Sequence, residues 1–241
     1  MARIDPKELE KLIEQSLNDF YKSRLERLDD LKLKNVLQRK NPYLFKALYT
    51  EKAHELIEKI LYAYISSSDE TIFGDKFFEP IAKIVSGGVV SPSEGVDVAV
   101  ETKDRYIAYA VKSGPNPFNS SAKKRQNDEF SKLRNRLLKL RKQFDPVLAY
   151  SYGTKISMLN ETKIYREIAG QAFWEELTGN EDFYLKLIRL MGDIPKKHME
   201  KYRPQFDAVT NRFTGEFVKD FCHQNGQIDW EKLVKFVSEK P

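Results

Sequence analysis

The stretch Val96–Lys112, VDVAVETKDRYIAYAVK, decides how the chain folds. Its two apolar runs, Val96–Glu101 and Tyr106–Lys112, alternate in the way that strands do, and a polar turn joins them. This pattern predicts an antiparallel hairpin. Because successive side chains of a strand point to opposite faces, pairing the two runs brings Asp97 close to Lys112. The hairpin therefore predicts a carboxylate and a lysine together at one end of a sheet.

Helical patterns precede the hairpin. Apolar residues at helical spacing predict that residues 1–68 form a helical N-terminal region. Three consecutive serines, Ser66 to Ser68, interrupt the pattern and predict a break between helices. The next helix is expected to begin at Asp69 or Glu70 and to run to about Val85, and it carries Glu79. The region 69–241 then contains the hairpin and everything that follows it.

One long helix and further strands follow the hairpin. The helix is predicted to begin at Ser120 or Ser121 and to end before Asp145. A third strand is expected over Val147–Tyr152, with a candidate fourth over Ile156–Leu159, and the remainder is mainly helical. This order predicts an α/β fold in which helices flank a small mixed sheet, with a helical N-terminal extension and a helical C-terminus.

Composition limits where such a chain works and what it binds. The net charge of +5 allows an anionic partner without requiring one. A single cysteine, Cys222, excludes an intramolecular disulfide and favours a reducing, cytoplasmic setting. The N-terminus lacks the apolar segment of a secretory signal, and no uncharged apolar run approaches the roughly 20 residues that span a bilayer. We therefore expect a cytoplasmic protein without a membrane anchor.

Asp97 and Lys112 suit the hydrolysis of a phosphodiester. Carboxylates hold Mg²⁺, which polarises a phosphate and helps to generate hydroxide. A lysine can orient the attacking water and counter the charge of the transition state. Glu79 is a candidate second carboxylate, because Phe77 and Phe78 should hold its helix against the sheet. The alternative interpretation is that each of these residues is an ordinary solvated side chain.

The segment after Lys112, KSGPNPFNSS, favours a phosphate partner. Its small and amide side chains lead into a helix, whose N-terminal N–H groups attract anions. An ordinary turn with a capping serine explains Ser120 and Ser121 equally well. The helix that follows is strongly basic, which favours a DNA backbone over a merely solvated face. Its basic residues are Lys123, Lys124, Arg125, Lys132, Arg134, Arg136, Lys139, Arg141 and Lys142.

The order of these residues resembles the PD-(D/E)XK nucleases: a helix glutamate, an aspartate, a strand that ends in a lysine, then a helix and a strand. Longer segments resemble the PmeII-like type II restriction endonucleases. These segments are ETIFGDKFFEPIA, GVDVAV, YAVKSGPNPFNSS, REIAGQAFWEELTG and GQIDWEKLVKFV. The resemblance implies a restriction-endonuclease-like core and cleavage of double-stranded DNA at a specific sequence.

The resemblance also implies roles for individual residues. Asp97 would bind Mg²⁺ together with Glu79 and the Val111 carbonyl, and Lys112 would be the catalytic lysine. DNA contacts are implied for Ser113, Asn116, Asn119, Ser120, Lys123, Lys124 and Arg125. A homodimer is expected because a palindromic site matches the two-fold symmetry of a protein dimer. Residues 1–68 could then serve in dimerisation or as a DNA clamp.

Ala110 departs from the family pattern, which has an acid two residues before the lysine. Glu79 could supply the missing carboxylate, and this is the explanation we favour. Another acid, such as Glu101, Asp128 or Glu129, could supply it instead. The protein could also be an inactive DNA-binding member of the superfamily, or a repair or structure-specific nuclease.

Overall fold

The computed structural model describes residues 4–87, 93–115, 120–137, 142–161 and 163–239. The chain divides into two compact units. We call them the sheet unit, formed by Met1–Phe20 and Thr71–Ile194, and the helical unit, formed by Tyr21–Glu70 and Pro195–Pro241. Each unit is thus built from two separate segments, whereas the division predicted from sequence, 1–68 and 69–241, follows chain order.

Helices form both ends of the described chain, and the four short strands lie between them, with one helix after the second strand. The helices are α1 (Pro6–Asp29), α2 (Leu33–Leu37), α3 (Pro42–Ala47), α4 (Ala53–Phe73), α5 (Glu79–Val85), α6 (Ser120–Leu137), α7 (Gln171–Thr178), α8 (Phe183–Met191), α9 (Ile194–Phe221) and α10 (Trp230–Ser238). The strands are β1 (Val98–Glu101), β2 (Arg105–Lys112), β3 (Gln143–Tyr150) and β4 (Arg166–Ala169). A π-helical turn, Gly74–Phe78, joins α4 to α5. No helix within these described ranges has the length and apolar character needed to cross a membrane.

The four strands form one mixed sheet in the order β1-β2-β3-β4. β1 and β2 are antiparallel, with Val98 opposite Tyr109, which confirms the predicted hairpin. β3 runs parallel to both β2 and β4. Parallel neighbours need a crossover, and α6 provides it between β2 and β3. The predicted α/β fold, a small mixed sheet flanked by helices, is confirmed.

The two faces of the sheet are covered by different helices. Tyr109 and Val111 of β2 belong to a buried cluster shared with α1, α5, α7 and α8. Ala108 and Ala110 point to the other face, where they pack in a cluster with Phe130 of α6. The two alanines are fully buried, so the bulky α6 side chains can come close to the strand.

The helical unit has its own core. Apolar residues of α2, α3, α4, α9 and α10 form one buried cluster there, with Leu56 and Phe217 fully buried. Arg24 forms a half-buried ion pair of 2.8 Å with Asp69. This separate cluster is why the chain divides into two units rather than one.

The predicted helix break at the three serines is wrong. α4 continues through them to Phe73. The hydroxyls of Ser67 and Ser68 donate to the Tyr64 carbonyl, at 3.3 and 3.1 Å, so they are satisfied without leaving the helix. The predicted boundary at 68/69 therefore falls inside a continuous helix.

Two predictions downstream of the hairpin are also wrong. β3 begins at Gln143, so the residues just before Asp145 are strand rather than helix. Pro146 is tolerated because β3 pairs with β4 only from Val147 onward, so the missing N–H interrupts no β3–β4 hydrogen bond. The fourth strand is Arg166–Ala169, and residues 156–159 contribute only an isolated bridge. Ile156 and Met158 of that run are exposed and bury no strand face.

Gly170 fixes the entry to α7, and replacing it should destabilise the sheet unit. Its φ of 54° and ψ of −125° suit only glycine, and an added Cβ would collide with the Gly153 carbonyl oxygen. We expect Gly170→Ala to lower the free energy of unfolding by about 2–4 kcal/mol in denaturant titrations. Gly215→Ala is the control, since nothing lies near its added Cβ and helical Gly→Ala changes usually stabilise. Equal stability of the two variants would contradict this account.

Candidate active site

Asp97 lies immediately before β1 and is fixed by the neighbouring strand. Its backbone N–H donates to the Tyr109 carbonyl at 2.9 Å. Its carboxylate oxygen Oδ2 accepts a 2.7 Å hydrogen bond from the Val111 N–H and lies 3.3 Å from the Lys112 ammonium. The structure thus brings together Asp97 and Lys112, as the alternation of the two strands predicted. Both side chains are half-buried, so they are ordered without being closed to water.

Lys112 ends β2 at the edge of the sheet where Asp97 lies. Its carbonyl accepts a 2.9 Å hydrogen bond from the N–H of Ser151, the residue that follows β3. This bond holds the backbone of Lys112 in place while its side chain reaches the Asp97 carboxylate. A charge-assisted contact of this kind offsets the cost of placing a lysine at the end of an apolar strand.

Glu79 reaches the same region because of the π-helical turn Gly74–Phe78. The Glu79 N–H donates to the Gly74 carbonyl five residues back, rather than to the fourth. Pro80 has no N–H and cannot continue the usual ladder, which explains why the helix widens here. Gly74 lies against the residue after Lys112, since an added Cβ would be 3.4 Å from Ser113 Cβ. The turn therefore brings this helix close to the end of β2.

Aromatic packing holds the turn in position. Phe77 is fully buried and stacks on Phe73, with ring centroids 4.6 Å apart. Phe78 meets Phe73 edge-on at 5.0 Å. Burial of aromatic rings is a large stabilising contribution, so the turn that precedes Glu79 is firmly anchored to the core. The predicted role of Phe77 and Phe78 in holding this helix is confirmed.

The surroundings of Glu79 favour its neutral form. Burial raises the pKa of its carboxyl to about 7, and the negative charge of Asp97 acts in the same direction. Lys112 lowers this pKa, but too little to compensate. The three predicted catalytic residues therefore interact electrostatically. Their two carboxyl groups face a single ammonium, so a further positive charge would stabilise both carboxylates.

This shifted pKa predicts how stability depends on pH. Between its ordinary value of 4.5 and about 7, the folded chain keeps a proton on Glu79 that the unfolded chain releases. Glu79 should therefore lower the free energy of unfolding as pH rises through that window. Without metal, Glu79→Gln is expected to stabilise the protein by about 1–3 kcal/mol at pH 8 and to have little effect at pH 4. Denaturant titrations at both pH values test this, with the exposed Glu181→Gln as control; the same pH dependence in both variants would contradict it.

The donors at this site fit a magnesium ion. The part of the chain that the structure describes contains no group of three His, Cys, Asp or Glu side chains placed to hold a metal. Mg²⁺, however, needs only one or two carboxylates, completed by water and substrate phosphate. The N–H and C=O of a strand residue point to the same side, so the Val111 carbonyl shares an edge with the Asp97 carboxylate that its N–H contacts. Asp97, Glu79 and this carbonyl could hold Mg²⁺, and its charge would relieve the repulsion at Glu79.

The other acids considered for the missing carboxylate have different surroundings. Glu101 is exposed at the opposite end of β1 and is bound by Lys142. Asp128 is exposed on α6, and Glu129 is buried and hydrogen-bonded to Lys132 at 2.9 Å. Among these acids, Glu79 is the one whose carboxyl interacts electrostatically with both Asp97 and Lys112.

The predicted DNA-contacting residues are spread along the loop and the first turns of α6. Ser113 is half-buried beside Gly74, and Ser120 is exposed as the first residue of α6. Lys123 and Lys124 lie one turn further along, half-buried and exposed respectively. Asn116 and Asn119 lie outside the described residues.

Arg125 already has a partner. Its guanidinium forms an exposed 2.8 Å ion pair with Glu94, on the segment that leads to Asp97. Exposed pairs of this kind contribute little stability and exchange readily. A DNA phosphate would therefore have to compete with Glu94 for Arg125.

A buried carboxylate on β4 was missed by the sequence analysis. Glu167 accepts hydrogen bonds from Tyr150, Lys155, Ser157 and Lys163, at 2.7 to 3.0 Å. Burial alone would raise its pKa, but these hydrogen bonds lower it to about 2. In the sequence Glu167 stands between Arg166 and the apolar pair Ile168–Ala169, and nothing there marks it as buried. The network ties the segment after β3 to β4.

Comparison with known protein families assigns most of the chain to one family. Residues 7–199 match the family of the type II restriction endonuclease EcoO109I. This range contains all four strands and the three residues of the candidate site, whereas no curated protein sequence matches the chain. The expected class, a type II restriction endonuclease, is confirmed at the level of the family, and the narrower resemblance to PmeII-like enzymes stays a prediction. The chain belongs to the type II restriction endonuclease EcoO109I family.

Proposed function

We propose that the chain is a Mg²⁺-dependent PD-(D/E)XK endonuclease that hydrolyses double-stranded DNA at a specific sequence. The observation that carries this proposal is the Asp97 carboxylate, held at 2.7 Å by the Val111 N–H and at 3.3 Å by the Lys112 ammonium. The family supports DNA cleavage over the alternatives of a repair nuclease or a non-cleaving DNA-binding protein.

The proposed Mg²⁺ ligands come from three parts of the site. Asp97, Glu79 and the Val111 carbonyl hold Mg²⁺, which when bound neutralises charge on the phosphate and makes bound water more acidic. The Val111 N–H fixes the direction of the Asp97 carboxylate before any substrate arrives. Glu79 must lose its proton to act as a ligand, and its pKa near 7 makes metal binding weaker in acid.

Lys112 acts on the reacting groups. Its ammonium can donate a hydrogen bond to the attacking water or to a phosphate oxygen and so counter the negative charge that grows in the transition state. Because Asp97 already holds this ammonium at 3.3 Å, little conformational freedom is lost when the substrate binds.

DNA would lie along the loop after Lys112 and the start of α6. Lys123, Lys124 and Arg125 are assigned to phosphate contacts, which set affinity and its dependence on salt. Ser113, Asn116, Asn119 and Ser120 are assigned to the backbone or to base edges. A homodimer is proposed because the two strands of a palindromic site require two catalytic centres.

The direct test is cleavage of long duplex DNA with and without Mg²⁺. Discrete fragments that share the same end sequence are expected with Mg²⁺, and none after chelation of the metal. The fragment ends identify the recognition sequence. Random degradation, or cutting confined to free ends and flaps, would contradict the proposal, and so would salt-sensitive binding without any cleavage.

A further inference from the structure

A basic segment of the helical unit takes no part in the candidate active site. Residues 32–52, from just before α2 to just before α4, contain six basic residues and a single acid, Glu51. Among the residues that the structure describes, these six form one ion pair, between Lys34 and Asp220 at 4.0 Å. Two basic side chains of α6, by contrast, are each held by a carboxylate at 2.8 to 2.9 Å. The segment therefore carries positive charge that carboxylates leave uncompensated.

The short helix α3 turns one side of this segment toward solvent. It buries only Pro42 and Phe45, of which Phe45 packs in the core of the helical unit. Large apolar side chains around them are exposed. These are Tyr43 at 63%, Leu44 at 52%, Leu48 at 58% and Tyr49 at 79%. Large apolar side chains exposed this close together are typical of a surface that binds a partner.

Basic side chains alternate with the exposed rings. Tyr43 and Lys46 are three residues apart in α3 and so lie on the same side of it. The Tyr49 N–H donates to the Lys46 carbonyl at 3.1 Å, which places Tyr49 one turn further on. Lys46 lies over the Trp230 ring at 5.4 Å, a contact that orders the side chain without neutralising its charge. We call this set the α3 surface, and its members are Arg39, Lys40, Tyr43, Lys46, Tyr49 and Lys52.

Tyr49 has a backbone conformation that its own packing does not explain. Its φ is 55°, the left-handed conformation that glycine usually supplies just after a helix. A tyrosine adopts this conformation at a cost in stability, and an exposed ring recovers little of that cost by packing. Glu51 interacts with the Tyr49 hydroxyl and raises its pKa, but this pair is itself exposed. A ring kept where glycine would be more stable indicates a contact outside the chain.

We propose that the α3 surface binds the phosphate backbone of double-stranded DNA independently of base sequence, as a contact additional to the candidate active site. Charge identifies the partner, because cations without carboxylate partners attract an anionic polymer. Tyrosine hydroxyls donate to phosphate oxygens, and the exposed leucines can pack against the sugars between the phosphates. This inference rests on the proposed function, which makes DNA the anionic polymer that the chain must hold.

The test measures how binding of the full chain to a duplex of arbitrary sequence depends on salt, without metal. A variant replaces the four basic residues of the surface by glutamine: Arg39, Lys40, Lys46 and Lys52. Each phosphate contact contributes about 0.9 to the slope of log affinity against log salt, so the slope should fall by about 3. At about 0.1 M salt the affinity should fall by roughly a hundredfold or more.

The matched control removes the same charge from α9, another part of the helical unit. Acidic residues alternate with the basic residues of this helix. Four exposed residues are replaced by glutamine: Lys197, Lys201, Arg203 and Lys219. The control should lower the slope by less than about 1. If both variants lower it equally, overall charge rather than the α3 surface determines binding, and the inference is overturned.

Tyr49→Gly separates a DNA contact from a structural role. Glycine suits the left-handed backbone, so this variant should unfold at a higher denaturant concentration than the wild type. It should nevertheless bind DNA about tenfold more weakly, because a contact to phosphate is lost. Wild-type affinity of Tyr49→Gly would exclude the ring from the surface and overturn the inference as stated.

The inference and the proposed function fail in different ways. If the glutamine variant of the α3 surface keeps the wild-type slope while DNA is cleaved at specific sites, the inference is overturned and the proposed function stands. If the chain binds DNA through this surface but never cleaves it, the proposed function alone is overturned. Vesicles of phosphatidylserine and phosphatidylcholine offer a different anionic partner. If they bind the wild type but not the glutamine variant, and the slope for DNA is unchanged, the surface binds a membrane and the inference is overturned.

Discussion

Asp97→Asn is expected to reduce Mg²⁺-dependent DNA cleavage by about a thousandfold or more. Asparagine keeps the shape of the side chain, and its amide oxygen can still accept from the Val111 N–H. The variant loses the negative charge that would bind the metal and hold the Lys112 ammonium 3.3 Å away. Rates measured under single-turnover conditions on a duplex that contains the recognition sequence give this comparison.

Asp104→Asn is the matched control for this change. Asp104 lies in the turn of the same hairpin, and its side chain is exposed. The control should cleave at the wild-type rate, and both variants should bind DNA with nearly wild-type affinity when no metal is present, because phosphate contacts dominate that affinity. Wild-type cleavage by Asp97→Asn would exclude Asp97 as a metal ligand.

The pairing of Asp97 with Lys112 could be predicted because it depends on two local rules. Strand alternation assigns each side chain to a face, and a short turn fixes which residues meet across a hairpin. The observed register, with Val98 opposite Tyr109, follows from both rules. A buried hairpin tolerates no slip, since a shift of one residue would turn its apolar side chains toward water.

The approach of Glu79 could be expected only in part. The aromatic residues before it predicted that its helix packs on the sheet. The π-helical turn that directs its carboxyl could not be predicted, because the turn depends on how Pro80 and Gly74 fit against residues far away in sequence. The Glu167 network was missed for a different reason: its partners lie 4 to 17 residues away, and no sequence pattern shows that the chain folds back to bring them to one carboxylate.

The units of the chain show the limit of reasoning along the sequence. Composition and periodicity detect helices at both ends, but they do not reveal that residues 21–70 share a core with residues 195–241. Likewise, Ser66 to Ser68 predicted a helix break, yet the Ser68 hydroxyl donates to a carbonyl of the same helix and the helix continues. Pro146 is a residue that usually interrupts strands, yet it is accommodated in β3 because β4 pairs with β3 only from Val147 onward. In each case tertiary context outweighs local propensity.

Ala110 marks the point at which the site departs from its superfamily pattern and where it can be tested most directly. Extending the register of the hairpin places Ala110 opposite Asp97, on the strand face that Lys112 shares. The position is fully buried against α6, so it currently contributes packing rather than charge. A carboxylate introduced here would lie beside Asp97, with the Lys112 ammonium close by.

Ala110→Glu is therefore expected to have opposite effects with and without metal. In metal-free buffer, the buried and uncompensated charge should lower the free energy of unfolding by about 2–4 kcal/mol. With Mg²⁺ at a hundred times the dissociation constant of the variant, metal binding returns about 2.7 kcal/mol. At this concentration the weaker wild-type site is only partly loaded and gains little, so the stability of the variant should approach that of the wild type. The extra carboxylate should also allow cleavage at lower Mg²⁺ concentrations, by roughly a hundredfold.

Ala108→Glu separates these effects from simple damage to the core. Ala108 is equally buried on the same face of β2, but it lies opposite Ala99, away from Asp97 and Lys112. Its glutamate should destabilise the fold to a similar degree, and Mg²⁺ should return to it only the small gain that the wild type shows at the same concentration. If the stability of Ala110→Glu also failed to recover in Mg²⁺, a carboxylate at position 110 would be out of reach of the metal. The metal bound by Glu79 would then lie away from the face of β2 that carries Ala110 and Lys112. Recovery in Ala110→Glu alone would place the metal at the end of β2, between Asp97 and Lys112.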